Sequence, residues 1–306
     1  MLKSLSKDFE AVPLPDLGAI RVQGADNLRF LQGQLSNDSL KVSAVRSQLS
    51  GLHTPQGRTV ALLRLVVVAP GEVLAILPRE LAASVAARLS KYVLRAKAKV
   101  SDVSADWSFH GLILSPGADE QGIAFPEALN GQTQQDSAFL VRIADTPPRW
   151  LVATPAVASE PANEKLRALW RSLDIAAGIP QVYAATTEAF VAQMLNLDVL
   201  DAVAFDKGCY TGQEIIARAH YRGKVKRRMQ RFRTLAPATL TIGDAGKLRD
   251  GRSIKIVEAT QLADGRCEFL AVAPMGAGEE ESASAESPTT TSIDAEQLPL
   301  PYALPD

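Results

Sequence analysis

The sequence predicts an α+β fold, in which a few helices are set among many strands. Residues 46–103 read as strand, strand, strand, helix and strand, with Pro70-Gly71 as the turn of a hairpin. Residues 163–177 carry apolar side chains three and four positions apart, which is the spacing of an amphipathic helix. Between residues 229 and 274, apolar runs separated by Pro and Gly turns predict strands alone.

The composition is that of an ordinary soluble globular protein. The 306 residues are 46% hydrophobic and 22% charged, and the formal net charge of -1 predicts no bulk attraction to nucleic acid or membrane. Two cysteines, Cys209 and Cys267, give no disulfide framework and fit a reducing compartment. The first ten residues lack an apolar core, and the apolar run 60–69 is too short to span a bilayer. We therefore expect a cytoplasmic protein without membrane contact.

The first predicted elements are a strand at 19–22 and a helix over 28–35. A polar turn at the end of the helix contains Gln34, Asn37 and Asp38. These side chains either line a pocket or form an ordinary polar helix end, and the residues alone favour the helix end.

The next predicted unit is compact. A hairpin joins strands at 59–68 and 72–77, and a helix follows Pro78. The loop 51–58 contains His53 at the entrance of this unit. Taken alone, His53 is interpreted as a surface or supporting residue rather than a ligand.

Strands at 107–114, 138–143 and 150–153 precede a second amphipathic helix. Asn163 is its predicted N-cap, and the helix is expected to end before Gly178. Trp170 lies on the apolar face of this helix, and periodicity alone favours core packing for it.

The most specific stretch of the chain is residues 205–214, which read FDKGCYTGQE. Thr211 and Glu214 match the capping box of a helix start. Cys209 would then lie two residues before the helix, where free amides, the helix dipole and Lys207 favour a thiolate. A lone cysteine is also a common buried hydrophobe, and the residues leave the two interpretations about even.

Residues 207–214, followed by AR at 217–218, YRG at 221–223 and KR at 226–227, resemble the signature of the YgfZ family. These folate-binding proteins are similar in fold to the T protein (aminomethyltransferase) of the glycine cleavage system. Residues 30–38 also resemble the family's N-terminal folate-domain motif.

The resemblance implies a T-protein-like, folate-binding α+β fold. Residues 1–228 would form the folate-binding region, with a ferredoxin-like subdomain at about 46–105. Residues 229–306 would form a C-terminal β-barrel, with a mobile loop at 276–297 that is rich in Glu, Ser, Thr and Ala.

The resemblance also implies tetrahydrofolate, or a derivative of it, as the cofactor. Residues 170–180 resemble the family segment in which a Trp contributes to the folate site, and that role falls on Trp170, whose aromatic face would suit a flat pterin. Gln34 and Asn37 would help to hold the folate. Some family members have a second Trp where this chain has Leu17, which cannot stack in the same way.

In the same resemblance Cys209 is the reactive or ligating thiol, and Lys207 and the helix start stabilise its thiolate. The remaining residues assigned to folate binding are Tyr210, Gln213, Glu214, Arg218 and Arg222.

Residues 218–233 hold a local excess of positive charge in a chain that is otherwise acidic. Such a stretch suits the glutamate tail of a folate or a phosphate backbone. Alternatively, these residues form a strand whose apolar positions pack inward while the charges are solvated. The eight basic residues are Arg218, Arg222, Lys224, Lys226, Arg227, Arg228, Arg231 and Arg233.

Several chemistries can be set aside on motif grounds. The chain has no G-x-x-x-x-G-K-[ST] phosphate loop, no G-x-S-x-G elbow and no strand-bound G-x-G-x-x-G. Its two cysteines and three histidines cannot supply the four thiolates of a resident iron–sulfur cluster, and no metal site is predicted.

Three functional hypotheses remain. The resemblance implies a folate-dependent factor for assembling or repairing iron–sulfur client proteins, including ones that modify tRNA. The second is a folate-dependent one-carbon (aminomethyl) transferase, which is the activity expected if the protein is an enzyme. The third is an RNA-binding module that makes weak contact through residues 218–233.

Overall fold

The structure is a computed structural model that describes residues 9–114, 124–156, 163–223, 225–276 and 291–305. Within these ranges the chain forms three sheets and four α-helices, which confirms the predicted α+β class.

The strands are, in chain order, β1 (Phe9–Pro13), β2 (Leu17–Gln23), β3 (Gln48–His53), β4 (Thr59–Ala69), β5 (Glu72–Pro78), β6 (Lys99–Asp102), β7 (Trp107–Leu114), β8 (Gln132–Gln135), β9 (Ala138–Asp145), β10 (Pro148–Pro155), β11 (Arg227–Thr234), β12 (Ala245–Leu248), β13 (Ser253–Gln261), β14 (Cys267–Pro274), β15 (Thr291–Ile293) and β16 (Ala295–Leu298). The α-helices are α1 (Asn27–Gln32), α2 (Arg79–Ser90), α3 (Glu164–Ala176) and α4 (Gln213–Tyr221).

The first sheet is antiparallel and has the order β1-β7-β10-β9-β8. On one face the ring of Trp150 lies 4.5 Å from that of Phe125 and 5.9 Å from that of Phe9. The other face packs against the second sheet, in a cluster that joins Phe109 to Leu74. This alternation buries both faces of the sheet.

The second sheet has the order β3-β4-β5-β2-β6 and packs against α1 and α2. Its β4–β5 hairpin turns at Pro70-Gly71, as predicted. Strand β2, which lies between β5 and β6 in this sheet, is outside the range of about 46–105 expected for the ferredoxin-like unit. β2 pairs antiparallel with both β5 and β6, with Val22 opposite Val73 and Val100.

The third sheet has the order β15-β12-β13-β14-β11-β16 and curls into a nearly closed barrel around Phe232 and Phe269. Asp294 alone separates its two edge strands along the chain, so the sheet ends lie close together. The prediction of a mobile loop at 276–297 is therefore wrong for residues 291–297, which belong to β15, β16 and the link between them. Residues 277–290 lie outside the described residues.

Helix α3 lies between the first sheet and the barrel. Asn163 caps its start, because its side chain accepts a hydrogen bond from the Leu166 amide at 3.3 Å. The helix packs on Val12 and Ile113 of the first sheet, and its Ala168 carbonyl accepts a hydrogen bond from Thr260 of β13. α3 thus contacts both the first sheet and the barrel.

Among the described residues, no helix has both the length and the apolar character needed to cross a membrane.

Candidate functional site

A cavity of about 540 Å³ lies where the two first sheets, α3 and the barrel meet. The second sheet lines it with Leu62 and Ile76, and the first sheet with Ile143 and Leu151. The barrel contributes Glu258. On its α3 side the cavity is lined by Arg167, Trp170, Arg171 and Asp174. A cavity of this volume lies in the size range of small-molecule sites in proteins.

Trp170 lines the cavity but is only 7% exposed. Its ring packs against the first sheet, where a Cβ at Gly111 would collide with the indole. The guanidinium carbon of Arg149 lies 4.9 Å from the ring centroid, as in a cation–π contact. Trp170 is therefore a packing residue that also contacts the cavity, and Arg149 leaves at most one face of its ring for a ligand.

Asp174 lies one helical turn beyond Trp170 and lines the same cavity. Its Oδ1 accepts a hydrogen bond from Arg149 Nη1 at 2.6 Å, while Arg149 Nη2 donates to the Leu173 carbonyl at 3.1 Å. Burial raises the pKa of Asp174, although Arg149 opposes the shift. No described residue donates a hydrogen bond to Oδ2, which leaves that oxygen for a ligand.

Glu258 and Tyr183 form a second polar pair in the cavity. The Tyr183 hydroxyl donates to Glu258 Oε2 at 2.5 Å, and Arg171 Nε lies 3.6 Å from Oε1. Burial raises the pKa of Glu258 to about 7, so this carboxyl group carries a proton in part of the molecules at neutral pH. Burial and the neighbouring Glu258 raise the pKa of Tyr183.

The cysteine motif lies on the surface and outside this cavity. Cys209 is exposed, and its loop leads into α4 through Gly212. The prediction of a capping box at Thr211 and Glu214 is wrong. Gly212 is the N-cap, with φ +84° and no side-chain capping bond. A Cβ at Gly212 would collide with the Thr54 carbonyl, so close approach of the two loops requires glycine here. Glu214 instead pairs with Arg218 at 3.2 Å.

Lys207 binds the loop that follows α1. Its Nζ donates to the carbonyl oxygens of Gln32, Leu35 and Asn37 at 2.8, 2.7 and 2.8 Å. Burial lowers the pKa of Lys207 to about 8, which leaves the amine protonated at neutral pH. All three N–H donors of the ammonium group are used by these carbonyls. In this structure Lys207 therefore holds the loop that follows α1, whereas the sequence predicted that it stabilises the Cys209 thiolate.

The remaining predicted site residues cluster around the motif and not around Trp170. The Asn37 amide group donates to the Leu49 and Asp201 carbonyls at 2.9 and 2.6 Å, which fixes it within the protein. Tyr210 is 7% exposed in the main core cluster, and burial raises its pKa to about 12. Gln34 and Gln213 are half-buried, and Arg222 is exposed at the end of α4. The cavity lining includes none of these residues.

His53 is buried beneath the motif, which excludes the surface alternative of its interpretation and leaves that of a supporting residue. A Cβ at Gly51 would collide with its ring, and Gly212 approaches it from α4. Burial lowers the pKa of His53 to about 3, so the imidazole is neutral at physiological pH. Neither ring nitrogen has a hydrogen-bond partner among the described residues.

The basic residues of β11 are paired within the protein and do not form a free anion-binding strip. Arg228 is 3% exposed, and its guanidinium donates to both carboxylate oxygens of Asp198, at 3.0 and 2.9 Å. Arg231 and Arg233 both pair with Glu268, which is buried. Lys224 lies outside the described residues.

Sequence reasoning missed the polar cavity residues. Asp174 carried a signal, because it follows Trp170 at helical spacing within the same helix. Glu258 and Tyr183 carried none, since their contact joins residues that are 75 positions apart. Across the described ranges, no group of three or more His, Cys, Asp or Glu side chains could hold a metal ion.

Comparison with known proteins finds relatives that align over most of the chain. The tRNA-modifying protein YgfZ of Edwardsiella ictaluri (strain 93-146) is 33% identical over 276 residues, which cover 85% of this chain and 82% of the relative. The tRNA-modifying protein YgfZ of Serratia proteamaculans (strain 568) is 30% identical over 269 residues, covering 83% and 81%. No protein-family model matches the chain.

Among solved structures, the glycine cleavage system aminomethyltransferase T from Bartonella henselae superposes with a TM-score of 0.63. The superposition covers 87% of this chain and 78% of the transferase at 14% identity. This likeness confirms the T-protein-like fold.

Proposed function

The chain belongs to the YgfZ family, and from that premise we propose that it binds tetrahydrofolate and supports the assembly or repair of iron–sulfur enzymes, including ones that modify tRNA. Cys209 serves as its reactive thiol. One observation carries the folate proposal: an aromatic ring and a carboxylate, Trp170 and Asp174, line one cavity of about 540 Å³ a helical turn apart.

The cavity suits a pterin because its polar groups complement the pterin edge. The 2-amino-4-oxopyrimidine edge of a pterin presents two neighbouring N–H donors, and a carboxylate accepts such a pair. Asp174 supplies the carboxylate, with Oδ1 already held by Arg149 at 2.6 Å. Leu62, Ile76 and Leu151 give the apolar walls that a flat heterocycle requires.

The charged residues of the cavity extend the fit to the tail of the molecule. Arg79 is exposed and lines the cavity, so it stands at the opening, where the glutamate carboxylates of a folate would reach solvent. Leu17 also lines the cavity and adds apolar contact without the stacking that a Trp would give. Tetrahydrofolate, when bound, supplies a one-carbon carrier.

The thiol acts at a separate place on the molecule. Cys209 is exposed and lies outside the cavity lining, so folate in the cavity leaves it free to meet a client protein. Folate and thiol then serve one function from two sites.

Titration with tetrahydrofolate, followed by tryptophan fluorescence, tests the folate site. We expect a saturable change in the native protein and a much smaller one in Trp170→Phe, because Trp170 contacts the cavity. Trp107→Phe is the matched control, since Trp107 packs on Phe139 at 5.9 Å, away from the cavity lining. Equal changes in both variants, or no saturable change in the native protein, would rule out the proposed site.

A further inference from the structure

A second pocket, of about 360 Å³, opens on the surface beside the cysteine motif. Its wall includes Phe205 and Asp206 of the motif loop and Tyr221 at the end of α4. It also includes Arg46, which precedes β3, and Gln48, the first residue of β3. It shares no lining residue with the central cavity. The folate proposal therefore does not account for it.

Three aromatic rings form one side of this pocket region. Phe205 and His220 are stacked, with ring centroids 3.7 Å apart and planes at 14°. Tyr221 stands edge-on to both, at 6.0 Å from Phe205 and 4.7 Å from His220. Tyr221 is nevertheless 67% exposed, so its ring is supported from behind and open to solvent. A supported, exposed ring of this kind is a stacking platform for a flat heterocycle.

Gln48 supplies a hydrogen-bond acceptor at the pocket wall. The residue is 5% exposed, and its Nε2 donates to the Asp38 carbonyl at 3.0 Å. Its Oε1 is buried and has no hydrogen-bond partner among the described residues. A buried amide oxygen is costly to leave unpaired, and an N–H donor from a ligand would satisfy it.

The rim carries loosely held cations. Arg46 lies 3.9 Å from Asp201, and both side chains are more than half exposed. Lys41 lies 3.9 Å from Asp206 and 3.6 Å from Asp38. Such exposed pairs contribute little energy and exchange readily for another anion.

Arg222 follows Tyr221 at the end of α4 and is a further cation just outside the pocket lining. It is exposed and has no ion-pair partner in the described part of the chain. A phosphate chain that passes the pocket would therefore meet three cationic side chains.

We propose that this pocket binds an unstacked base of single-stranded RNA, with the base on Tyr221, an N–H donor of its edge on Gln48 Oε1, and the flanking phosphates at Arg46, Lys41 and Arg222. The inference rests on the proposed role in tRNA modification. It moves the RNA contact away from β11, whose arginines are paired internally, to the surface around α4. A peptide N–H would also satisfy Gln48 Oε1, but a base with its flanking phosphates uses the flat face of Tyr221 and the cations at the same time.

Fluorescence anisotropy with an end-labelled, single-stranded RNA of mixed sequence tests the proposal at physiological ionic strength. We expect Tyr221→Ala to weaken binding about tenfold, which is within the range for loss of one base–aromatic stack. Tyr92→Ala is the matched control, because Tyr92 is 50% exposed on another surface. Gln48→Leu should weaken binding of the normal strand and leave that of an abasic strand unchanged.

Three results would overturn the proposal: no binding by the native protein, equal loss in Tyr221→Ala and Tyr92→Ala, or equal affinity for the abasic strand. Equal affinity for the abasic strand would mean that the backbone alone is bound and that the pocket holds no base. Tyr221 is exposed, so its truncation leaves the core intact, and thermal unfolding checks this. Tetrahydrofolate titration of Tyr221→Ala separates the two proposals, since folate binding is expected to be unchanged.

Discussion

We expect Asp174→Ala to lower the free energy of unfolding by about 3 kcal/mol, the low end for removal of one partner of a buried ion pair, because the Asp174 side chain is 25% exposed. Asp174 accepts the 2.6 Å hydrogen bond from Arg149, whose side chain is fully buried. Without the carboxylate, the Arg149 guanidinium would keep only the Leu173 carbonyl at 3.1 Å and its contact with Trp170. Urea unfolding at neutral pH measures the change.

Asp264→Ala is the matched control for this prediction. Asp264 pairs with Arg266 at 2.7 Å, but both side chains are at least a third exposed, so solvent screens the pair and we expect a much smaller loss than for Asp174→Ala. Asp174→Asn should fall between the two, because its amide oxygen can still accept from Arg149. Similar losses for Asp174→Ala and Asp264→Ala would contradict the buried pair.

We expect Lys207→Met to destabilise the protein by about 3 kcal/mol and to loosen the cysteine loop. Methionine keeps the length and apolar stem of lysine but donates no hydrogen bonds, so the carbonyls of Gln32, Leu35 and Asn37 lose a shared donor. Hydrogen exchange should rise in residues 32–37 and 205–211. Urea unfolding and exchange mass spectrometry measure the two effects.

Lys226→Met provides the control for the lysine prediction. Lys226 belongs to the same motif extension, but its side chain is exposed and makes no ion pair in the described part of the chain. A surface change of this kind usually stays within about 0.5 kcal/mol. If both lysine variants lose equal stability, Lys207 does not hold the loop.

The sequence located the motif helix but not its start. The capping-box pattern in residues 207–214 put the N-cap at Thr211, one residue before the observed N-cap Gly212. Thr211 was chosen as the cap because a hydroxyl residue followed by Glu at i+3 is a local pattern. The N-cap is instead Gly212. Only glycine fits at this position, because the Thr54 carbonyl approaches too closely for a side chain. The residues around Gly212 do not predict this contact, because Thr54 is remote from them in the sequence.

Only part of the candidate site could be predicted, because several of its contacts also join residues that are remote in the sequence. Helical spacing identified the buried face of α3, and Trp170 lines the cavity. For the arginines of β11, the sequence left both an anion-binding stretch and a strand with solvated charges open, because their partners, Asp198 and Glu268, are remote in the sequence. Long-range pairing decides whether a charge is a free ligand group or a structural one, and periodicity does not report it.

Calorimetric titration of tetrahydrofolate into Asp174→Asn and Cys209→Ala is the most direct test of the account, which assigns the folate to the cavity and the thiol to a separate surface. We expect Cys209→Ala to bind tetrahydrofolate with native affinity. We expect Asp174→Asn to bind it at least about tenfold more weakly, because one charge-assisted hydrogen bond is lost. Native affinity in Asp174→Asn, together with lost binding in Cys209→Ala, would contradict the account.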